Sequence, residues 1–260
     1  MRNKAYFISD LHLGASYISD HRAHEQRVIK FLDSIKDDAA ELYLLGDILD
    51  YWYEYRTVVP RGHVRFFGAL ASLADSGVKI WWMTGNHDVW LFDYLRDELG
   101  ITILKGHTMM TVLGEKFMLS HGDDVGYQRP MYRFMRKCFY SRFCQVLYAS
   151  IHPRWTFPIA SGWSADNRTS RKKRKKEDLK KEIGVSLDNL IEYSSGVNSE
   201  KPGSVRHFVY GHLHTAFQQQ LPDGSDVTVL GDWIHIDTYA VFDGERLELK
   251  SFIPNGKQKA

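Results

Sequence analysis

Cysteine and proline are scarce in this chain, which has only 2 cysteines and 7 prolines among 260 residues. Cys138 and Cys144 lie within one predicted helix, so they cannot form the disulfide framework that stabilises small secreted domains. A chain of this length can instead bury one substantial hydrophobic core. We therefore expect a single domain over residues 1–260, in a reducing compartment.

An excess of one charge and long apolar runs are also missing. The net charge is only +2, which gives no general basic surface for nucleic acid. No apolar stretch approaches the roughly 20 residues that span a bilayer. A strand-like pattern begins almost at once and leaves no room for a secretory signal peptide. We expect a cytoplasmic protein without a nucleic-acid partner.

Positive charge is concentrated in one segment, residues 168–181. Such a run is often only a solvated helix face. Its functional alternative is attraction to anionic lipid headgroups or to substrate phosphates, at about 1 kcal/mol per basic residue near a membrane. Both interpretations stay open, so a membrane surface is a candidate partner. The sequence does not indicate an oligomeric state.

Short apolar runs alternate with helical patterns in the first half of the chain, which predicts βαβ units. The last quarter holds further strand patterns separated by turn signals at residues 222–224 and 243–244, and we expect these hairpins to form a second, largely antiparallel sheet. Two packed sheets with helices outside are a stable arrangement of layers. Between these parts, residues 128–193 contain no convincing strand. The predicted strands are 5–8, 42–45, 79–83, 101–104, 109–113, 117–119, 208–210, 217–221, 227–230, 234–242 and 246–252, and the predicted helices of the first half are 22–35 and 64–73.

Five short motifs follow strand-like stretches and supply carboxylate, imidazole or amide groups. A D-x-H pair at the end of a strand places both side chains on one face, because strand side chains alternate with a period of two. Singly, each motif is weak, since a buried histidine is more often a hydrogen-bonded core residue than a metal ligand. All five together, in order, indicate a metal centre. The motifs are Asp10-Leu11-His12, Gly46-Asp47, Gly85-Asn86-His87-Asp88, His121-Gly122 and Gly211-His212-Leu213-His214.

This ordered set resembles the motifs of the calcineurin-like metallophosphoesterases. The resemblance implies an α/β fold, a four-layer αββα sandwich of two mixed sheets, here with a helical insertion at about residues 128–193. It also implies a two-metal centre that activates water for attack on phosphorus, so that no protein nucleophile is needed. Oxygen and imidazole donors suit Mn²⁺, Fe or Zn²⁺, and we expect manganese. The resemblance assigns Asp10, His12, Asp47 and His214 to one ion and Asp47, Asn86, His121 and His212 to the other.

The same motifs contain candidates for acid catalysis. His87 follows the ligand Asn86 and is the expected general acid for the leaving oxygen, with Asp88 holding its imidazole in one tautomer. Asp50 has two interpretations: a carboxylate that orients a ligand histidine, or one that begins a helix.

Beyond the metal motifs, the chain is similar to the branch of this family that contains the UDP-2,3-diacylglucosamine hydrolases. The similarity lies in residues 9–14, 46–52, 125–128, 230–233 and 238–244. It implies hydrolysis of UDP-2,3-diacylglucosamine to UMP and 2,3-diacylglucosamine 1-phosphate, a step of lipid A synthesis. It further implies an insertion that holds the acyl chains, and a peripheral position on the inner membrane. Trp52 belongs to an aromatic cluster that either packs in the core or stacks on a ring of the substrate. The expected substrate contacts are Trp52, Asn86, Asp124, Tyr127, Ser164, Asn167, Arg168, Ser170 and Lys172.

One residue departs from that branch, whose established lipid hydrolases carry arginine where this chain has His87. A fixed positive charge suits a phosphate leaving group, whereas a proton donor suits an alkoxide. A phosphodiesterase or phosphatase acting on nucleotides or other phosphate esters is therefore the alternative enzyme. A lipid- or nucleic-acid-binding protein without catalysis is the third hypothesis, and the intact ligand set argues against it.

Overall fold

The computed structural model describes residues 2–126, 130–156 and 185–252. Its strands form two sheets. The first sheet contains β1 (Lys4–Ile8), β2 (Ala39–Leu45), β3 (Lys79–Met83), β4 (Thr102–Leu104), β10 (Thr238–Phe242) and β11 (Leu247–Ser251). The second contains β5 (Thr108–Val112), β6 (Glu115–Ser120), β7 (His207–Tyr210), β8 (Ala216–Gln220) and β9 (Asp226–Leu230). The helices are α1 (His21–Ile35), α2 (Val64–Asp75), α3 (Tyr94–Leu99), α4 (Pro130–Tyr140), α5 (Arg142–Ala149) and α6 (Leu187–Glu200).

The first sheet has the strand order β11-β10-β1-β2-β3-β4, and its four strands β1 to β4 are parallel. The predicted βαβ units account for these strands. The hairpin of β10 and β11 pairs antiparallel with β1, with Ala5 opposite Phe242. Its predicted place in the second sheet is therefore wrong. The alternating pattern of such a hairpin satisfies either sheet, and only contacts with distant residues select one.

The second sheet has the order β5-β6-β7-β9-β8. Its central strands β6, β7 and β9 are parallel, and the two edge strands are antiparallel to their neighbours. The sheet is thus mixed rather than largely antiparallel. The predicted strand over residues 234–242 is also too long, because residues 233–236 form a turn and β10 begins only at Thr238.

Alternation along the strands separates the layers. In β1 and β2, Tyr6, Ile8 and Leu44 face α1 and α2, whereas Phe7 and Tyr43 face the second sheet. Phe7 and Tyr43 stack with ring centroids 4.8 Å apart. Each fully buried aromatic of this kind stabilises the fold by about 1.5–3 kcal/mol.

The outer face of the second sheet is covered by α6, where Leu190 packs with Phe208 and Tyr210. Helix, sheet, sheet and helix form four layers, so the predicted αββα sandwich is confirmed. Residues 187–193 lie in α6 and belong to this outer layer. The predicted insertion included them, and this end of its boundary is corrected, because the helix buries its apolar face on the sheet.

Helices α4 and α5 pack on neither sheet, and we call them the cap. They contact a cluster that contains Tyr53, Val89 and Trp90. The indole of Trp90 donates a hydrogen bond to the carbonyl of Phe139 (3.0 Å), and the hydroxyl of Tyr53 donates one to the carbonyl of Gln145 (2.7 Å). No helix among the described residues is both long enough and apolar enough to cross a bilayer.

Candidate metal centre

The predicted ligands lie where the strands of both sheets end. Parallel strands that are neighbours in a sheet have their carboxyl ends at the same edge. Strands β1, β2 and β3 deliver their following loops to this edge from one sheet, and β6 and β7 deliver theirs from the other. The loops after β1 and β2 are joined by two hydrogen bonds. The amide of Asp10 donates to the carbonyl of Gly46 (3.1 Å), and the amide of His12 donates to the carbonyl of Asp47 (2.9 Å).

One group at this edge consists of Asp10, His12 and His214, whose candidate ligand atoms lie within 4.8 Å of one another. The Nε2 atoms of His12 and His214 are 3.3 Å apart. Nε2 of His214 is 3.5 Å from Oδ1 of Asp10. The structure thus brings together three of the residues predicted to hold one ion.

A second group consists of Asp47, His121 and His212, under the same 4.8 Å limit. Asn86 joins it, because its Oδ1 lies 3.2 Å from Nε2 of His121. Oδ2 of Asp47 is 3.4 Å from that nitrogen and 3.7 Å from Nε2 of His12 in the first group. Asp47 therefore lies between the two groups, as a carboxylate shared by two ions must.

Three of the imidazoles are oriented through their Nδ1 atoms. Nδ1 of His12 lies 3.1 Å from Oδ1 of Asp50, and Nδ1 of His121 lies 2.9 Å from the carbonyl of Leu45. Nδ1 of His214 lies 3.1 Å from Oδ2 of Asp232. Such partners fix the ring and leave Nε2 for a metal ion. Of the two interpretations of Asp50, the structure shows contact with a histidine.

The predicted site did not include Asp232. A signal was available, because Gly231-Asp232 follows β9 as Gly46-Asp47 follows β2. Oδ1 of Asp232 accepts hydrogen bonds from the amides of Ile234 (3.0 Å) and His235 (2.7 Å), whereas Oδ2 lies 3.1 Å from Nδ1 of both His214 and His235. Burial would raise the pKa of this carboxyl, but its hydrogen bonds with His214 and His235 hold the pKa well below its usual range.

The donors of the first group fit a bound cation. Because the Nδ1 protons of neutral His12 and His214 point to carboxylates, their Nε2 lone pairs face one another across 3.3 Å. Oδ1 of Asp10 is buried and has no hydrogen-bond partner among the described residues. Buried lone pairs without a partner are unfavourable. A divalent cation would satisfy all three.

The backbone at this site is unusual. Five of the seven predicted ligands have a positive φ, a backbone conformation that residues other than glycine seldom adopt. A side chain at Gly46 would overlap His121, and one at Gly85 would overlap Asp47. These two glycines therefore permit the loop after β2 to approach the loops after β3 and β6 closely. The five ligands are Asp10, His12, Asp47, His212 and His214.

His87 lies beside the shared carboxylate. Its Nε2 is 3.9 Å from Oδ2 of Asp47, and its Nδ1 is 3.0 Å from the backbone carbonyl of Asp50. Burial lowers the pKa of His87, but the carboxylates of Asp47 and Asp50 outweigh burial and raise the pKa above its ordinary value. The ring is part of the site and remains one-quarter exposed.

The predicted role of Asp88 is wrong, because the partner of His87 is Asp50. The fully buried carboxylate of Asp88 instead accepts hydrogen bonds from the amides of Gly85 (2.7 Å) and Ile48 (2.9 Å) and from the indole of Trp82 (3.2 Å). Asp88 thereby ties together the loops that follow β2 and β3, and it acts on the site only through their backbone.

Of the predicted substrate contacts, Trp52 is excluded by burial. Its side chain is fully buried, and its indole donates to Oε1 of Glu54 (3.2 Å). Asp124 is half-buried, forms an ion pair with Arg136 (2.9 Å) and lies 3.0 Å from Nε2 of His107. Asn86 lies in the metal centre. The remaining predicted contacts, Tyr127, Ser164, Asn167, Arg168, Ser170 and Lys172, fall outside the described residues.

Comparison with known proteins agrees with this geometry. The chain belongs to the calcineurin-like phosphoesterase family, whose sequence profile matches residues 4–216. It is a hydrolase of that family, with a cluster of histidines and aspartates that can bind metal ions. The predicted family, fold class and enzyme class are thereby confirmed.

Similar proteins include two that are named as hydrolases of UDP-2,3-diacylglucosamine. The chain is 39% identical to the UDP-2,3-diacylglucosamine hydrolase of Porphyromonas gingivalis, over 96% of this chain and 98% of the relative. It is 27% identical to the UDP-2,3-diacylglucosamine hydrolase of Pasteurella multocida, over 88% and 90% of the two chains. Among solved structures, an archaeal phosphodiesterase matches with a TM-score of 0.49 at 14% identity, covering 96% of this chain and 99% of the other.

Proposed function

We propose that this protein hydrolyses UDP-2,3-diacylglucosamine to UMP and 2,3-diacylglucosamine 1-phosphate in the lipid A pathway. The observation that carries the proposal is the 39% identity with the Porphyromonas gingivalis hydrolase across nearly the full length of both chains. In this reaction the oxygen of water bonds to one phosphorus, and the bond from that phosphorus to the bridging oxygen breaks. Both products leave as phosphate monoesters.

Two divalent cations would be held by the two groups of donors, one by Asp10, His12, Asp47 and His214 and the other by Asp47, Asn86, His121 and His212. When bound, such ions polarise a phosphoryl group and lower the pKa of water. We assign manganese to both positions, with Fe and Zn²⁺ as ions that the same oxygen and nitrogen donors also accept.

The surrounding residues supply orientation and a proton. The carboxylates of Asp50 and Asp232 hold His12 and His214 so that their Nε2 atoms face the centre. The carbonyl of Asp50 accepts the Nδ1 proton of His87, which keeps that proton in place in the neutral ring. A second proton on His87 then resides on Nε2, on the side of Asp47. From there the ring supplies either positive charge or a proton to the leaving oxygen.

The cap supports a lipid substrate. Helices α4 and α5 contain no fully buried residue, and their apolar side chains alternate with basic ones. Amphipathic helices of this composition lie at membrane interfaces. We propose that this surface contacts the acyl chains and the cytoplasmic face of the inner membrane. The exposed apolar side chains of the two helices are Met131, Phe134, Phe143, Val146 and Leu147, and their basic neighbours are Arg133, Lys137 and Arg142.

The polar end of the substrate would be held by residues near Asp124. Arg136, from α4, reaches both Asp123 (3.6 Å) and Asp124 (2.9 Å). We retain Asp124, Tyr127, Ser164, Asn167, Arg168, Ser170 and Lys172 as proposed contacts of the UDP-sugar, together with Asn86.

One observation favours a second function. His87 presents an imidazole where a phosphate leaving group requires only fixed charge, and an imidazolium can protonate an alkoxide. A phosphodiesterase or phosphatase acting on nucleotides or other phosphate esters is therefore the competing proposal.

The direct experiment incubates the protein and Mn²⁺ with UDP-2,3-diacylglucosamine in H₂¹⁸O. We expect UMP and 2,3-diacylglucosamine 1-phosphate by mass spectrometry, with label in one product. The Asp47→Asn variant is the matched control and should release neither product. Negligible turnover of this lipid by the wild-type protein, together with rapid cleavage of a nucleotide ester, would replace the first proposal with the second.

A further inference from the structure

Two residues of α1, His24 and Arg27, contact the loops that carry one group of ligands. We infer that they are positioning residues, which set the affinity of the cation position formed by Asp10, His12 and His214. This inference rests on the two-metal centre proposed above. It concerns residues that match none of the metal motifs.

His24 acts on the first ligand loop. Its side chain is buried, and its Nε2 lies 2.7 Å from the carbonyl of Leu11, the residue between Asp10 and His12. Nη2 of Arg27 donates to Nδ1 of His24 (2.9 Å). Because Nδ1 accepts this bond, the proton of the neutral imidazole is on Nε2 and is donated to Leu11. The arginine thus fixes the tautomer that holds the loop.

Arg27 also acts on the second ligand loop. The same Nη2 donates to the carbonyl of Trp233 (2.8 Å), and Nε donates to Oδ1 of Asp237 (2.9 Å). Trp233 directly follows Asp232, whose carboxylate orients His214. One guanidinium therefore connects the loop of Asp10 and His12 to the residues that hold His214.

A third contact completes a ring of hydrogen bonds. The amide of Trp233 donates to the carbonyl of Asp10 (3.2 Å). The ring passes from the Asp10–Leu11 backbone through His24 and Arg27 to Trp233 and back to Asp10. Both ligand loops are thereby held to one rigid helix, which begins with Asp20 accepting a hydrogen bond from the amide of Ala23 (2.8 Å).

The two cation positions differ in this support. Within the described residues, the hydrogen bonds of His24 and Arg27 go to none of Asn86, His121 and His212. His121 is oriented by the carbonyl of Leu45 instead. Removal of an indirect support of this kind typically costs 10–100-fold in metal affinity. We therefore expect the loss to fall on one ion only.

The test uses Arg27→Met, which keeps the apolar stem of the side chain and removes all its donors. Arg22→Met is the matched control, because Arg22 lies half-exposed on the same helix and its one ion pair with the described residues is the 3.8 Å contact with Glu25. Calorimetric titration of the metal-free proteins with Mn²⁺ should show two sites in the wild type and in Arg22→Met. In Arg27→Met one site should weaken by about 10–100-fold while the other is unchanged.

Electron paramagnetic resonance supplies a readout that a general loss of stability would not give. Two Mn²⁺ ions bound at these neighbouring positions would be exchange-coupled, and at limiting metal Arg27→Met should show the spectrum of an isolated ion. Arg27→Lys, with one nitrogen in place of three, should give an intermediate affinity, and it serves for the same comparison if Arg27→Met does not fold. A wild-type protein that binds fewer than two ions would contradict the two-metal centre. Equal weakening of both sites, or of neither, would overturn the inference alone.

Discussion

Asp47 is the residue on which both cation positions depend. Its Oδ2 lies 3.4 Å from His121, 3.7 Å from His12 and 3.9 Å from His87. Burial raises the pKa of this carboxyl, but the imidazoles of His121, His87 and His12 outweigh burial and hold the pKa well below its usual range. The carboxylate is therefore charged at neutral pH and available to two cations at once.

Replacing this carboxylate should end catalysis. We expect Asp47→Ala and His121→Ala to reduce hydrolysis of bis-p-nitrophenyl phosphate to less than about one per cent, because the activated water requires both ions. Asp97→Ala, on an exposed side chain, is the control. Activity and bound metal would be measured on the same samples. More than a few per cent activity with full metal content would contradict the two-metal assignment.

His87 distinguishes the two proposed functions. If it donates a proton to an alkoxide, His87→Ala should slow esters with poor leaving groups by about 10²–10⁴-fold and activated aryl esters far less. If it supplies charge beside a phosphate, His87→Arg should preserve or raise turnover of UDP-2,3-diacylglucosamine. The measurement is kcat/KM of wild type and both variants on a series of leaving groups and on the lipid. A uniform loss across the series would contradict the acid role.

His24 should make stability depend on pH. Burial lowers its folded pKa to about 4, against an unfolded value near 6.5. The unfolded state therefore takes up a proton first, and stability that is complete above about pH 6.5 is lost as the pH falls toward about 4. Between about pH 7 and pH 5 we expect His24 to contribute a loss of about 2 kcal/mol.

The non-titrating His24→Gln variant tests this sign, because its amide can still donate to Leu11. Urea unfolding of both proteins across this range should give a flatter profile for the variant. Parallel profiles would exclude His24 as the source of the pH dependence.

At the scale of elements, the loop over residues 50–55 holds the start of helix α3. The buried carboxylate of Glu54 accepts hydrogen bonds from amides of residues 92–95, where α3 begins, and from the indole of Trp52. A carboxylate at a helix N-terminus also interacts favourably with the helix dipole. This one side chain fixes the start of α3.

Loss of that carboxylate should destabilise the protein. We expect Glu54→Ala to lower the free energy of unfolding by about 3 kcal/mol, since several buried amides lose a charged acceptor. Glu98→Ala, on an exposed position of α3, should change it by less than about 0.5 kcal/mol. Urea denaturation of the two variants measures both values. A loss for Glu54→Ala no larger than that of the control would refute the role.

Local pattern explains which of these features the sequence predicts. The parallel strands and their D-x-H, G-D and G-H-x-H ends are recognisable because each depends on period-two alternation and on neighbouring glycines. The position of β10 and the burial of Trp52 depend on distant residues. Likewise, the sequence around His87 does not reveal that the carboxylate of Asp88 accepts hydrogen bonds from Gly85 and Ile48. Nor does it reveal that the imidazole of His87 contacts Asp50 instead. Adjacency in sequence favoured the wrong partner.

On the scale of the whole molecule, the sandwich and the cap have different surfaces. The sandwich buries its aromatic side chains between layers, whereas the cap exposes Phe134 and Phe143 and the segment after it exposes Trp155, each more than three-fifths accessible. Large exposed apolar patches mark interaction sites. The location of these exposed apolar side chains thus agrees with the proposal that a lipid substrate enters from the cap side.

Binding to vesicles tests this arrangement. We expect the protein to co-sediment with vesicles that contain anionic phospholipid, and more weakly at high salt, because screening weakens the basic contribution. Phe134→Ser and Phe143→Ser should each reduce the partition coefficient by about tenfold, as expected for losing one apolar anchor. Met109→Ser, an exposed apolar residue of β5, is the control. Sedimentation that is insensitive to both cap variants would refute this orientation on the membrane.

Three tyrosines that follow Asp50 attach the cap to a loop of the metal centre. The hydroxyl of Tyr51 lies 3.0 Å from that of Tyr148, Tyr53 donates to Gln145, and the hydroxyl of Tyr55 lies 2.6 Å from that of Thr156. These contacts use the inner side of α5 and Thr156, which follows the cap. Under the proposed function, the exposed outer side chains of the cap can therefore be exchanged to suit acyl chains of another length without displacing the residues of the metal centre.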